Sequence, residues 1–237
     1  MEKRMNNQKI CFIICFNDEL FLEECCFYIR NLHIPRGMEI DIQAIEGASS
    51  MTEGYQAGME SSDARYKVYL HQDTFILNRY FLDAILDIFS EEDIGMIGMV
   101  GSVQLPPDAV MWNNAMRCGK VRRNAILNDF VFELQVPVEG RYREVQAVDG
   151  LLMATSVDIP WRKDIFTGWH FYDISQSMEM YKHGYRVVVP KQETPWCLHD
   201  VDVSSGEERD KAYGYWKKKF LENYNLNEIF STNGPRL

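Results

Sequence analysis

His71 and Asp73 stand two residues apart in Tyr69-Leu70-His71-Gln72-Asp73-Thr74-Phe75-Ile76, directly after the apolar run Val68-Tyr69-Leu70. In a strand, that spacing sends both side chains the same way. Strand ends are where open α/β sheets place a ligand crevice. An imidazole and a carboxylate converging there can hold a divalent cation. The same residues also read as an aspartate capping the next helix and a histidine bonded to a nearby carbonyl. The octapeptide alone does not choose between the two.

Three other clusters carry chemistry-bearing side chains. The loop Ile45-Glu46-Gly47-Ala48-Ser49-Ser50 ends one strand-like run and opens a helix-like one. Backbone N–H groups at such a helix start can meet an anion, and Glu46 can accept bonds from a base or sugar; an ordinary capped turn reads the same way. Trp161-Arg162-Lys163-Asp164 and Gly168-Trp169-His170-Phe171-Tyr172-Asp173 form an aromatic, mixed-charge stretch. Aromatic faces suit the apolar C–H faces of sugar rings. Asp173 reads as a helix N-cap paired with Gln176, a place compatible with a general base. Finally, Trp196-Cys197-Leu198-His199-Asp200 follows a late strand and offers a second histidine.

The elements that position these groups alternate. Lys9 to Cys15 is a continuous apolar run, as in a strand buried on both faces. Asp18 caps a helix carrying Leu22, Cys26 and Ile29 on one face. Met38 to Ala44 alternates as a second strand. Ser50-Met51-Thr52-Glu53 matches a capping box, with Met51, Tyr55 and Met59 on the following helix. Tyr66 to Leu70 is a third strand, Phe81, Ile85 and Phe89 mark a third helix, and Ile94 to Val103 is a fourth apolar segment. This β-α-β-α-β-α-β order predicts a mostly parallel sheet with helices on both faces. Residues 104–146 lose the pattern and read as a small β-rich insertion covering the crevice. The pattern resumes at Val148 to Thr155, then a helix from Asp173 stopped by Gly184, a strand from Tyr185 to Val189, and a last amphipathic helix from Glu207 to Glu222.

The chain has 237 residues, 46 % apolar and 13 % aromatic, enough for one domain with a substantial core. Its net charge of −10 argues against general nucleic-acid binding. An anionic substrate must then meet local positive charge or a metal ion. None of the six cysteines forms a Cys-x-x-Cys pair, and Cys11, Cys15, Cys25 and Cys26 lie within apolar patterns, so those four read as reduced core residues. No apolar run reaches the roughly 20 residues that span a bilayer, and the expected setting is cytoplasmic.

Taken in order, Phe12-Ile13-Ile14-Cys15-Phe16-Asn17-Asp18, Gly47-Ala48-Ser49-Ser50-Met51, Tyr69-Leu70-His71-Gln72-Asp73, Gly168 to Asp173 and Trp196 to Asp200 resemble a known family. The chain is similar to nucleotide-sugar glycosyltransferases of the GT-A fold, in the family-2-like inverting group. More narrowly it is similar to the glycosyltransferase-like domain of a streptomycin-biosynthesis protein. The resemblance covers about Ile10 to Ser205. It implies one Rossmann-like α/β domain: a nucleotide-binding half over 1–103, an acceptor half over 104–205, and a C-terminal helix and tail over 206–237. It implies that Asn17, Asp18, Glu46 and Ser50 hold the nucleotide. His71-Gln72-Asp73 matches the Asp-x-Asp position for a diphosphate-bound Mn²⁺ or Mg²⁺, with His199 as a further ligand. Asp173 matches the catalytic base. Trp161, Trp169, His170 and Tyr172 would line a saccharide or other hydroxyl acceptor. The departure from the family pattern is His71, where an aspartate is usual.

Two other readings fit part of the pattern. His71-x-Asp73 with His199 also matches the two-His-one-carboxylate triad of iron(II) oxygenases, with Arg209 as an oxoacid-binding arginine, although those enzymes resemble jelly rolls rather than β-α units. Alternatively, a sugar- or nucleotide-binding module keeps the fold without turnover.

Overall fold

The computed structural model describes residues 5–113, 115–125, 128–200 and 207–233. Strand β1 (Asn6–Phe16) lies between two neighbours and is buried on both faces, as its run, apolar at both parities, requires. Cys11, Ile13 and Cys15 face one core with Tyr55 and Met59. Ile10, Phe12 and Ile14 face another with Cys25, Ile29, Phe81 and Ile85. Helix α1 (Glu19–Arg30) starts at Asp18, whose side chain accepts from the Leu20 and Phe21 amides. Strand β2 (Glu39–Glu46) leads to α2 (Met51–Ser61). Gly54 and Gly58 let α2 lie close on β1: an added Cβ would stand 2.3 Å from Cys15 Sγ and 2.4 Å from Ile13 Cγ2 respectively.

Strand β3 (Ala64–His71) is followed by β4 (Thr74–Ile76), α3 (Phe81–Ile88), β5 (Ile94–Gly98) and β6 (Val100–Ser102). The insertion contributes a 3₁₀ turn (Met111–Asn113), β7 (Arg117–Ala125), β8 (Asn128–Glu133) and β9 (Tyr142–Glu144). Then come β10 (Ala147–Val148), β11 (Leu152–Thr155), α4 (Tyr172–Lys182), β12 (Arg186–Pro190), β13 (Cys197–His199), α5 (Glu207–Asn223) and α6 (Leu226–Asn233). Among the described residues no helix is long and apolar enough to cross a membrane.

The main sheet runs β2-β1-β3-β11-β5-β12-β9, with β11 and β9 antiparallel to their neighbours and the rest parallel. The expected mostly parallel α/β architecture is therefore present, with three differences. The apolar run 94–103 is not one strand. It crosses from the main sheet to a second one, β10-β6-β7-β13-β4, after Gly98. Gly98 permits this because Val148 packs where its side chain would be: a Cβ there would lie 2.3 Å from Val148 Cβ. The run 148–155 is likewise divided between β10 and β11, and β11 separates β3 from β5. Third, α6 follows α5 at the C-terminal end. Gly184, at φ 81°, ends α4 as expected.

Candidate functional site

Sheet register assembles the floor of the site. Cys15 pairs with His71 and Phe16 with Glu46, so the carboxyl ends of β1, β2 and β3 finish level. The antiparallel pairing of β13 with β4 sets His199 opposite Thr74, and the Asp200 amide bonds the Asp73 carbonyl at 2.8 Å. His71, Asp73 and His199 thereby converge, with one ligand-type atom from each within 4.8 Å of the others. His71 Nδ1 lies 3.9 Å and His199 Nε2 3.4 Å from Asp73 Oδ1. That oxygen is buried and meets no hydrogen-bond partner of proper geometry. Burial pushes the Asp73 carboxyl up, but the His199 ring beside it, and then His71, outweigh burial and hold it below its ordinary value. Burial, then His199, pull His71 down to about 4, so its imidazole is neutral at pH 7. An anionic oxygen without a donor, faced by two imidazoles, is a fitting donor set for a divalent cation. The two-His-one-carboxylate set of the oxygenase reading does assemble, but on an α/β sheet and not a jelly roll. The Arg209 side chain lies outside the described residues.

A turn joins this cluster to the expected base. His71 Nε2 and the Tyr172 hydroxyl are 2.5 Å apart. Asp173, the next residue, accepts from the Gly150 amide at 2.9 Å through Oδ2 and from the Ile174 amide at 2.9 Å through Oδ1. Gly150 must be glycine, since a Cβ would lie 2.2 Å from the Tyr172 oxygen. Asp173 is not the N-cap expected from the sequence. Phe171, at φ 63°, holds that position, and Gln176 bonds the Ile159 carbonyl instead of closing a capping box. Burial and then the neighbouring Asp149 raise the Asp173 carboxyl to about 7. A carboxylate so tuned can take a proton near neutral pH.

Asp149 and Trp112 escaped sequence reasoning. Asp149 Oδ1 accepts from the Leu151 amide at 3.0 Å and Oδ2 from Trp112 Nε1 at 3.1 Å. Arg117 lies over the Trp112 ring, 5.4 Å from its centroid. The Asp-Gly pair was the available signal for Asp149, being turn chemistry that aims a carboxylate at its own backbone; nothing local pointed to Trp112.

A cavity of about 560 Å³ opens above the strand ends, lined by the ends of β1 and β3, Gly47, Ala48, Met51 and Trp169. A larger cavity of about 1180 Å³ lies against α6, away from the metal-type cluster. None of the insertion's described residues is among those lining the smaller one. Of the expected nucleotide residues, Asn17 lines it. Asp18 instead caps α1, and Ser50 is buried and caps α2 by accepting from Glu53 N. Glu53 reaches past Ser50 to the Ser49 amide, so the capping box is shifted by one residue. Glu46 is exposed at the end of β2. Gln72, to which the sequence pattern assigns no role of its own, accepts from the Asn17 and Asp18 amides at 2.9 and 3.0 Å and donates to Asn17 Oδ1 at 2.7 Å.

The first amide of α2 is not open to an anion, because Met51 N donates to the Gly168 carbonyl at 3.1 Å. Trp161 is buried, its ring among Tyr55, Tyr69 and Tyr172, so it supports the site from within and offers no wall to an acceptor. Tyr172 is buried too. His170 is half-buried with its ring against Tyr213, and Trp169 is exposed.

A sequence profile of the glycosyltransferase-like family matches residues 11–224. Comparison with curated protein sequences gives no match. Among solved structures, TarS 1–349 of S. aureus is similar at TM-score 0.54 and 9 % identity, over 81 % of this chain and 60 % of that one. TarS 1–349 in complex with UDP gives 0.53 and 10 %, over 83 % and 61 %. The mannosyltransferase PcManGT from Pyrobaculum calidifontis, in complex with GDP-Man and Mn²⁺, gives 0.59 and 11 %, over 95 % and 67 %. The chain thus spans about 60 % of the length of the TarS fragment. At these identities the likeness is one of fold, the GT-A fold.

Proposed function

Since the chain belongs to the glycosyltransferase-like family, we propose that it moves a sugar from a nucleoside diphosphate sugar to an acceptor hydroxyl, with inversion. The observation that supports this best is the link from the His71-Asp73-His199 cluster through Tyr172 to Asp173 at the carboxyl end of β3. Asp73, with His71 and His199, would hold Mn²⁺ or Mg²⁺, the imidazoles favouring Mn²⁺. When bound, such an ion neutralises charge on a diphosphate leaving group. The cavity's need for it is electrostatic: no Lys or Arg is among its described lining residues, and the first α2 amide is engaged by Gly168.

The chain's own residues do the rest. Asn17 and Glu46 contact the nucleoside, while Asp18 and Ser50 act through the helix caps that shape its loops. Asp173 takes the proton of the acceptor hydroxyl as that oxygen attacks the anomeric carbon. The bond to the diphosphate oxygen breaks with its electron pair on the nucleotide, and one displacement inverts the carbon. Trp112, joined to Asp149, and His170 flank the acceptor. The narrower likeness to the streptomycin-biosynthesis-type domain belongs to this reading and names neither donor nor acceptor.

The test is nucleoside diphosphate release from UDP- and GDP-sugars with saccharide acceptors and Mn²⁺, in wild type and Asp173→Asn. Asn cannot accept both amide bonds that Asp173 accepts, so donor binding is measured alongside as a check on the fold. Transfer by wild type and a fall of roughly 10²- to 10⁴-fold in the variant are expected, the usual worth of a positioned base. Near wild-type transfer by Asp173→Asn would place the base elsewhere. Donor binding without turnover by wild type would favour the binding-module reading, which His71 in the motif supports.

A further inference from the structure

The segment bearing Trp169 is held on every side except at Trp169 itself. The Phe166 carbonyl accepts from Thr52 Oγ1 at 2.5 Å, and the Gly168 carbonyl from Met51 N at 3.1 Å. Gly168 lies so close to α5 that a Cβ there would meet Trp216 Nε1 at 2.4 Å. Phe166 is fully buried against Trp216, Phe220 and Tyr224. His170 and Phe171 pack on Tyr213. Between these anchors the Trp169 side chain is 49 % exposed and has no hydrogen bond or ring partner among the described residues. It nevertheless lines the 560 Å³ cavity with Asn17, Gly47, Ala48, His71 and Asp73. The backbone that carries this ring is already ordered, so a flat ligand covering it costs only the rotamer freedom of one side chain.

Topology says which part of a ligand reaches it. The cation-type cluster stands at the end of β3, and Trp169 is pinned to α2, which follows β2. β1 lies between β3 and β2, so the two ends of the cavity are two strand spacings apart, roughly 10 Å. A diphosphate at the β3 end sends its nucleoside across β1 towards Gly47, Ala48 and Trp169. We infer that Trp169 is a donor-binding residue that stacks on the nucleobase, and not an acceptor wall as its sequence neighbourhood suggested. This rests on the nucleotide-sugar reading of the site. Stacking is tolerant of base identity, so Trp169 supplies affinity and leaves the choice of base to polar groups at the loop ends.

The experiment is calorimetric titration of UDP, GDP, ADP, CDP, dTDP and pyrophosphate, each with Mn²⁺, into wild type, Trp169→Phe and Trp169→Ala. All three proteins should show the same cooperative unfolding with at most a small shift in Tm, because Trp169 is half exposed and has no ring or hydrogen-bond partner among the described residues. A base stack contributes about 1–3 kcal/mol, so Trp169→Ala should weaken the bound nucleoside diphosphate roughly 5- to 150-fold. Trp169→Phe should retain most of the affinity, and pyrophosphate should bind all three proteins alike. Equal nucleoside diphosphate affinity in wild type and Trp169→Ala, with the loss confined to a UDP-sugar or to the acceptor KM, overturns the inference and leaves the donor reading standing. Failure of wild type to bind any of the five nucleotides overturns both.

Discussion

The Tyr172 hydroxyl meets His71 Nε2 at 2.5 Å and so decides how His71 faces Asp73. A proton on Nε2, donated to Tyr172, leaves the Nδ1 lone pair towards Asp73 Oδ1, 3.9 Å away. The phenol is neutral, since burial first and nearby Tyr55 second push it well above its ordinary value. Partners of this kind fix the tautomer and orientation of a metal-ligating histidine. Tyr172→Phe removes one oxygen and keeps the ring in its cluster. Mn²⁺ affinity should fall roughly 10- to 100-fold, read from free Mn²⁺ by electron paramagnetic resonance, while nucleotide binding in EDTA stays as in wild type. Unchanged Mn²⁺ affinity would reduce the contact to packing.

Asp149 and Asp173 are held by successive amides of one turn, those of Leu151 and Gly150. Burial first and the Asp149 charge second bring Asp173 to about 7. A base works deprotonated, so kcat/KM should rise with pH through about 7. Asp149→Asn removes the charge and leaves the burial, so the acid limb should move to lower pH without disappearing. The stability effect has the same origin and a definite sign. A carboxyl raised in the folded state favours folding below the ordinary carboxylate range, and that contribution is lost as pH rises through about 7. Asp149→Asn should therefore shrink the fall in Tm between pH 5 and 8. An acid limb in the same place would show that Asp149 does not act on the base.

Local pattern and long-range pairing divide what could be read from the chain. The run Ile10 to Ile14 announced a two-sided buried strand because its chemistry is contained in consecutive residues. His71 and Asp73 were legible for the same reason. The arrival of His199 beside them depends on β13 pairing with β4, a non-local register that no window of sequence contains. Asp173 looked like an N-cap because aspartate favours that place, yet the backbone turns through the left-handed region one step earlier, at Phe171. The amides near Ser50 looked open to an anion, and a carbonyl from the distant Gly168 occupies the first of them on α2. At Ser50 a distant segment overrode a sound local rule, and at Asp173 the backbone one residue away did.

Gly58 tests the close seat of α2 on β1. An added methyl would come within 2.4 Å of Ile13 Cγ2, and Ile13 is fully buried. Helix propensity alone favours alanine by about 1 kcal/mol. Overpacking a tight core costs about 1–3 kcal/mol. Gly58→Ala should therefore lower the urea midpoint or leave it little changed, in contrast to the gain expected of the same change on an exposed helix face. A clear gain in stability would show that α2 can lift from β1 without penalty.

Gln72 is the residue between the two expected ligands, and its side chain points into the β1 loop. One oxygen accepts from the Asn17 and Asp18 amides, and its amide nitrogen bonds Asn17 Oδ1. It thus ties the end of β3, where the ligands stand, to the loop where the nucleoside is proposed to lie. Gln72→Ala removes three bonds and leaves His71 and Asp73 in place. Such bonds contribute about 0.5–1.5 kcal/mol each, and these are exposed, so the lower end of that range applies. The Asn17 and Asp18 amides should exchange with solvent deuterium faster than in wild type. Donor KM should rise roughly 5- to 50-fold with kcat largely kept, because a loosened loop weakens ground-state and transition-state binding together. A fall in kcat with KM unchanged would instead tie Gln72 to the chemistry at Asp73, and the loop-anchoring role would be wrong.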